Sequence, residues 1–372
     1  MEIQAYFDKM KEIHNNLLSG FDDPDEEKIE DMIQIFPDCQ NSIDCHILKS
    51  ILHMIVKMSN HHHRTPSFFI KIEQILQFFK EKIQTNYSNY EIFEIFKSNK
   101  RILLILIENQ ILTIDNFIAS VILTEEKYKK ANYAQYFYPE IKPFLGENEI
   151  KEISKGIEFE NFEENRKIGE NHHYISKLIR EDLVEDFIIY VNRTNASLLN
   201  VIRPSIFETN KFLIENNPTL IEYAAFYGSI QIFKYLRFNK VSLDAIIFEL
   251  TPSLWFYTIH SMNPELIHTL EEYNIQPIYD SYQDCFVEAI KCHHCDIANY
   301  ISLNLLSNDR DSFYEITIKS LKYYNFSFIL IDHIKSSWFY LCRYDYYYPF
   351  VKIILDGIDI NYKLVLNAFK NL

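Results

Sequence analysis

Glycine is the first scarcity. Only six occur in 372 residues, at positions 20, 146, 156, 169, 228 and 357, and no two lie closer than ten residues apart. A Walker loop or a dinucleotide fingerprint needs several within a few residues, so neither nucleotide-binding motif can be written. Long apolar runs are also missing. The strongest, Ile102 to Ile107, is stopped by Glu108-Asn109-Gln110, far short of the ~20 residues that span a bilayer. The start, Met1-Glu2-Ile3, brings acidic residues early and no uninterrupted apolar core, so no secretory signal is expected. Cations are outnumbered, 37 Lys and Arg against 52 Asp and Glu, for a formal net charge of −15. That field repels phosphate backbones and anionic headgroups, which argues against nucleic acid or membrane partners and for a protein partner with a basic or mixed-charge surface. Six cysteines without dense spacing read as reduced thiols of a soluble, cytoplasmic protein. No nucleophile elbow, zinc-protease helix or kinase-type loop is present, so the sequence offers no catalytic residue and calls for no cofactor.

What is present is helical periodicity. Phe68, Phe69, Ile72, Ile75, Leu76 and Phe79 fall on one face, with Thr65 expected as N-cap and Pro66 at the first helical position. Asp22-Asp23-Pro24-Asp25-Glu26-Glu27 opens another expected helix, running to Phe36 and stopped by Pro37. Tyr90 to Leu106 and Ile175 to Val191 read as faint helix pairs, the former turning at Ser98-Asn99. Sustained strand alternation is absent, so an all-α fold is expected. The segment from Gly146 to His173 is Glu-rich and holds three of the six glycines. It is expected to be an acidic connector (146–173) between an N-terminal helical region (1–145) and a repeat region (174–372).

The repeat carries the fold expectation. Thr219-Leu220-Ile221-Glu222-Tyr223-Ala224-Ala225-Phe226-Tyr227-Gly228, continuing as Ser229-Ile230-Gln231-Ile232-Phe233-Lys234-Tyr235-Leu236, places small residues where one helix must approach its neighbours and glycine at a left-handed turn. The frame returns 34 residues later from Ser253 to Leu270, with Thr258 in an alanine position and Pro264 near the start of the second helix. It returns 31 residues further on from Asp284 to Ile301, and more weakly from Ser320 to Ile329. A last copy ends in Phe350-Val351-Lys352-Ile353-Ile354-Leu355-Asp356-Gly357-Ile358-Asp359-Ile360-Asn361, and Tyr362 to Phe369 would add part of a capping helix. These units resemble the ankyrin repeat, T-P-L-H-x-A-A-x-x-G-H-L-E-V-V-K-L-L with its ending V-K-L-L-L-x-x-G-A-D-V-N. The stretch from Pro218 to Asn274 is also similar to a domain of unknown function found beside ankyrin repeats in expanded families of trichomonad protists. The resemblance implies a solenoid of stacked antiparallel helix pairs. It also implies a non-enzymatic scaffold that takes a protein on its concave wall. Carried onto this sequence, that wall holds Phe226, Tyr227, His260, Ser261, Lys291 and Cys292.

Three strings compete for other roles. Cys292-His293-His294-Cys295, with Cys285 two helical turns upstream, has zinc-ligand chemistry. In the repeat register, however, His293 takes the turn glycine's place and Cys295 a core position, so packing is the expected role and zinc the alternative. His61-His62-His63 reads as an exposed loop before a capped helix, able to bind metal only adventitiously. The tyrosines at 344, 346, 347 and 348 suit either a sticky edge or the filling of gaps. A drifting family member with no retained role stays open as well.

Overall fold

The computed structural model describes residues 2–24, 36, 45–125, 128, 131–239, 253–277, 281–306 and 313–357. Among them the chain is helical, with one isolated antiparallel bridge between Val201 and Thr219 as the sole strand-like pairing. None of these helices is long and apolar enough to cross a membrane. The helix expected from Asp22 to Phe36, the ending from Ile358 to Asn361 and the capping segment from Tyr362 to Phe369 fall wholly or mostly outside the described residues.

The helices are α1 (Ile3–Asp22), α2 (Cys45–His61), α3 (Phe68–Phe78), α4 (Lys80–Asn86), α5 (Asn89–Phe96), α6 (Lys100–Glu108) and α7 (Asn116–Thr124). Short helices α8 (Tyr133–Tyr136) and α9 (Tyr138–Ile141) lead to α10 (Glu147–Ser154) and α11 (Phe162–Ile168). Next come α12 (Tyr174–Arg180), α13 (Val184–Thr194), α14 (Lys211–Asn216), α15 (Leu220–Tyr227), α16 (Ile230–Phe238), α17 (Leu254–His260) and α18 (Pro264–Glu272). The last are α19 (Tyr282–Lys291), α20 (Cys295–Asn304), α21 (Phe313–Tyr323), α22 (Trp338–Arg343) and α23 (Tyr347–Leu355). The expected face of α3 is buried at Phe68, Ile72, Ile75, Leu76 and Phe79. The helix itself starts at Phe68, and the Thr65 hydroxyl donates to the Phe21 carbonyl instead of capping.

Two compact units are present, Leu76–Gln276 and a discontinuous one joining Met1–Ile75 to Pro277–Leu372. These limits fall elsewhere than the expected break. The segment from 146 to 173 belongs inside the first of these units, as two helices packed on it. Phe162 and Ile157 join Tyr138 and Phe207 in a buried cluster, with Ile150 and Ile153 of α10 packed against it. Arg166 of α11 is buried and forks onto Glu140 at 2.7 and 3.0 Å, reaches Glu163 at 2.8 Å, and donates to the Tyr136 carbonyl. One of the segment's own glutamates, Glu163, is a partner of that buried cation, a pairing that composition alone does not reveal.

Within Leu76–Gln276 the hairpins α12–α13, α15–α16 and α17–α18 succeed one another. First helices α12, α15 and α17 pack side by side, and second helices α13 and α16 do the same. Each first helix turns into its second through a left-handed residue, Asp182, Gly228 or Met262. At Asp182 and Gly228 the turn is a Schellman motif: Asp182 N donates to Ile179 O with Leu183 N to Leu178 O, and Gly228 N to Ala225 O with Ser229 N to Ala224 O. Four residues before each turn stand Leu178, Ala224 and Thr258, all buried, and the two small ones let neighbouring helices approach. Thr219 opens α15 with a capping box closed by Glu222. Asn263 caps α18, and Pro264 takes its first position. The faint pair at Tyr90 to Leu106 is real as α5 and α6, capped by Ser88 and Asn99.

The other unit repeats the device. His293, Tyr324 and Asp345 have left-handed backbone, and the paired bonds recur as His294 N to Ala289 O, Asn325 N to Ser320 O and Tyr346 N to Leu341 O. After Tyr324 only a short 3-10 turn, Phe326–Phe328, stands where a second helix would be, matching the weak fourth copy. Here α1 buries Tyr6, Phe7, Met10, Ile13, Leu17 and Phe21 along one face and packs against α2, α23 and that 3-10 turn. Of the tyrosine run, Tyr346 is buried and stacks on Tyr324 at 4.6 Å, while Tyr348 stacks on Tyr6 at 5.5 Å, so these two fill gaps.

Candidate functional site

The residues expected on an open wall are largely enclosed. Phe226 is 7% exposed, and Phe212 of α14 lies over it with ring centroids 6.0 Å apart. Phe212 also covers Tyr257 at 4.9 Å and His260 at 4.2 Å. Tyr227 is partly buried against Tyr223 at 4.8 Å, and burial holds its hydroxyl well above the ordinary range. Ser261 is spent locally, donating to Thr258 O at 2.7 Å and accepting from Asn263 N at 3.1 Å. In the other unit Lys291 pairs with Glu288 at 2.8 Å, and Cys292 is fully buried with its carbonyl accepting from His62 Nδ1 at 2.8 Å. The expectation of an exposed concave wall is therefore corrected. The apolar surface left between first helices is covered by other parts of the chain, α14 in one unit and the end of α2 in the other.

The histidine strings are likewise interior. His61 and His62 are buried rather than on an exposed loop, and burial lowers His63 to about 4. His62 Nε2 lies 2.7 Å from Asp22 Oδ1, and its Nδ1 lies 2.8 Å from Cys292 O. Each ring nitrogen thus faces an oxygen, and the ring ties the end of α1 to the end of α19. His14 Nε2 and His293 Nδ1 share a hydrogen bond at 2.8 Å; burial lowers His14 to about 3 and His293 well below its ordinary value. His62 packs on His294 with ring centroids 4.8 Å apart. The thiols of Cys292 and Cys295 are both pushed up by burial, which keeps them protonated. Among the described residues, the two do not share any group of three ligand atoms within 4.8 Å of one another.

The feature that sequence reasoning missed is a cavity of about 690 Å³ within Leu76–Gln276. Buried Tyr128, Tyr133 and Tyr223 give it aromatic wall, while Ser98, Pro204, Lys211, Glu215 and Asn217 are exposed at its rim. Lys100, 2% exposed, lines it at the first turn of α6, where Asn99 accepts from Arg101 N and Ile102 N. Its Nζ donates to Ala131 O at 2.9 Å and Ile206 O at 3.0 Å, and lies 5.1 Å from the centre of the Tyr136 ring. Burial lowers its ammonium to about 7, against the opposing pull of Glu208. Glu208 is also buried on the cavity wall and accepts from Asn210 N at 2.8 Å. Behind Tyr223, Arg180 donates to its hydroxyl at 3.2 Å, to Asn171 O at 2.7 Å and pairs with Glu170 at 2.7 Å, which fixes that side of the cavity.

One signal in the sequence pointed here. Lys100-Arg101 puts two cations into a first helical turn, where the dipole disfavours them, directly before an apolar run. A local rule broken without local compensation marks a site held by distant partners. No family model, no curated protein and no solved structure matches this chain.

Proposed function

We propose that the chain is a non-enzymatic, ankyrin-like helical-repeat protein that holds a protein partner. The repeat reading is supported by the left-handed turns at 182, 228, 262, 293, 324 and 345, each closing a first helix. The buried residues of the expected wall move the contact surface elsewhere. The observation that carries the new placement is on the α12–α13 hairpin, where Tyr174 is 55% and Ile189 56% exposed and Tyr174 meets Tyr190 edge-on at 5.5 Å. Exposed Glu181, Glu185 and Asp186 border these side chains in sequence. An aromatic and aliphatic patch beside carboxylates suits a partner offering apolar side chains among Lys or Arg.

The test compares wild type with Tyr174→Ser/Ile189→Ser and with Glu185→Lys/Asp186→Lys by proximity labelling in the native cell and by pull-down. Both double variants are expected to lose the same partner while keeping the wild-type helical spectrum. A partner set unchanged by either variant overturns the placement, and no reproducible partner at all overturns the function.

A further inference from the structure

We propose that Lys100 is a carbonyl-capturing amine, which condenses with a small aldehyde or ketone held in the cavity to form an imine. The geometry supplies the argument. Lys100 lines the cavity, and its Nζ faces two backbone carbonyls, Ala131 O and Ile206 O. Two acceptors match the two N–H bonds of a neutral amine, which leaves the lone pair for the remaining direction. A lysine in an apolar, aromatic-walled cavity is also one whose neutral form is populated near pH 7, and a neutral amine is what attacks a carbonyl carbon.

The step balances without a further reactant. The amine nitrogen bonds to the carbonyl carbon, a proton passes from nitrogen to oxygen, and the resulting carbinolamine loses water to give the C=N bond. The protonated imine keeps one N–H for one of the two carbonyls, and cavity water serves the other. Glu208, on the same wall, is the buried carboxylate placed to stabilise the iminium charge. This inference is independent of the partner-binding reading, since none of its residues lies on the α12–α13 hairpin.

The experiment uses the full chain with sodium cyanoborohydride and either glyoxylate, an anionic probe, or propionaldehyde, a neutral one. Peptide mapping then reads the rate at each lysine. Half-neutral at pH 7, Lys100 exceeds the neutral fraction of an ordinary exposed lysine by about a thousandfold, so labelling at least tenfold faster is expected after its lower nucleophilicity and restricted access are counted. Its rate should level off above pH 7 while those of exposed lysines continue to rise. Glu208→Gln should move that midpoint to lower pH, because a neighbouring anion favours the charged form. Preference for glyoxylate assigns the cavity to anionic carbonyl compounds, and preference for propionaldehyde to neutral ones. Labelling of Lys100 no faster than of exposed Lys151 and Lys177, with both probes, overturns the proposal and leaves Lys100 as a clamp on two carbonyls.

Discussion

The unit formed by Met1–Ile75 and Pro277–Leu372 should lose stability on mild acidification, because burial opposes protonation of two of its imidazoles, those of His14 and His53. His14 is fully buried and lowered to about 3, chiefly by burial, and His53 to about 4, where burial outweighs the attraction of Asp345. The sign comes from linkage. An unfolded histidine has its ordinary value near 6.5, so below that pH the unfolded chain binds protons that the folded chain does not, and stability falls until the folded values are reached. The window is pH 6.5 down to 4 for His53 and down to 3 for His14. At pH 5 each residue has lost 1.5 pH units of this difference, about 2 kcal/mol, and the pair about 4 kcal/mol. Ordinary carboxylates titrate below pH 5, which keeps the window between pH 8 and 5 largely histidine's own. Urea unfolding monitored by far-ultraviolet circular dichroism at these two pH values should give a lower midpoint in acid. His14→Gln should shrink the difference between the two pH values by about 2 kcal/mol, even though the variant is weaker at pH 8 for leaving His293 without its partner. Free energies that agree within about 1 kcal/mol at both pH values would refute the reasoning, since the rings would then titrate normally in the folded protein.

Three further outcomes test the packing. Met262 holds a left-handed φ of 54° and is 38% exposed, so Met262→Gly should relieve backbone strain and raise stability by about 1 kcal/mol, read from the denaturation midpoint. Arg166→Ala should cost about 3–5 kcal/mol because it strands the part-buried Glu140, and raised exchange of backbone amides in α11 should accompany it. Phe212→Ala should cost about 3–5 kcal/mol and increase binding of an apolar dye by uncovering Phe226 and His260.

The helix pairs were legible because their determinants are local. Small residues at 224, 258 and 289 and a turn residue four positions on recur in the sequence, and the backbone at 228, 262 and 293 is left-handed as that register requires. Only Gly228 of the six first-turn positions is glycine, which is why the copies look degenerate. The Schellman hydrogen bonds come from backbone groups, so Asp182, His293, Tyr324 and Asp345 make the same turn at a cost in strain that packing offsets. The cover over those helices was illegible for the opposite reason. The wall expected at Cys292 is closed by a bond from His62, 230 positions away, and Lys100 reaches Ile206 across 106. No window of periodicity contains both partners of such contacts. Each window does contain the residue left locally unexplained, a histidine at a turn glycine's position or a lysine at a helix's positive end. In this chain both kinds proved to be buried and held from afar, so an unexplained polar residue is the better guide to its interior than any recognisable motif.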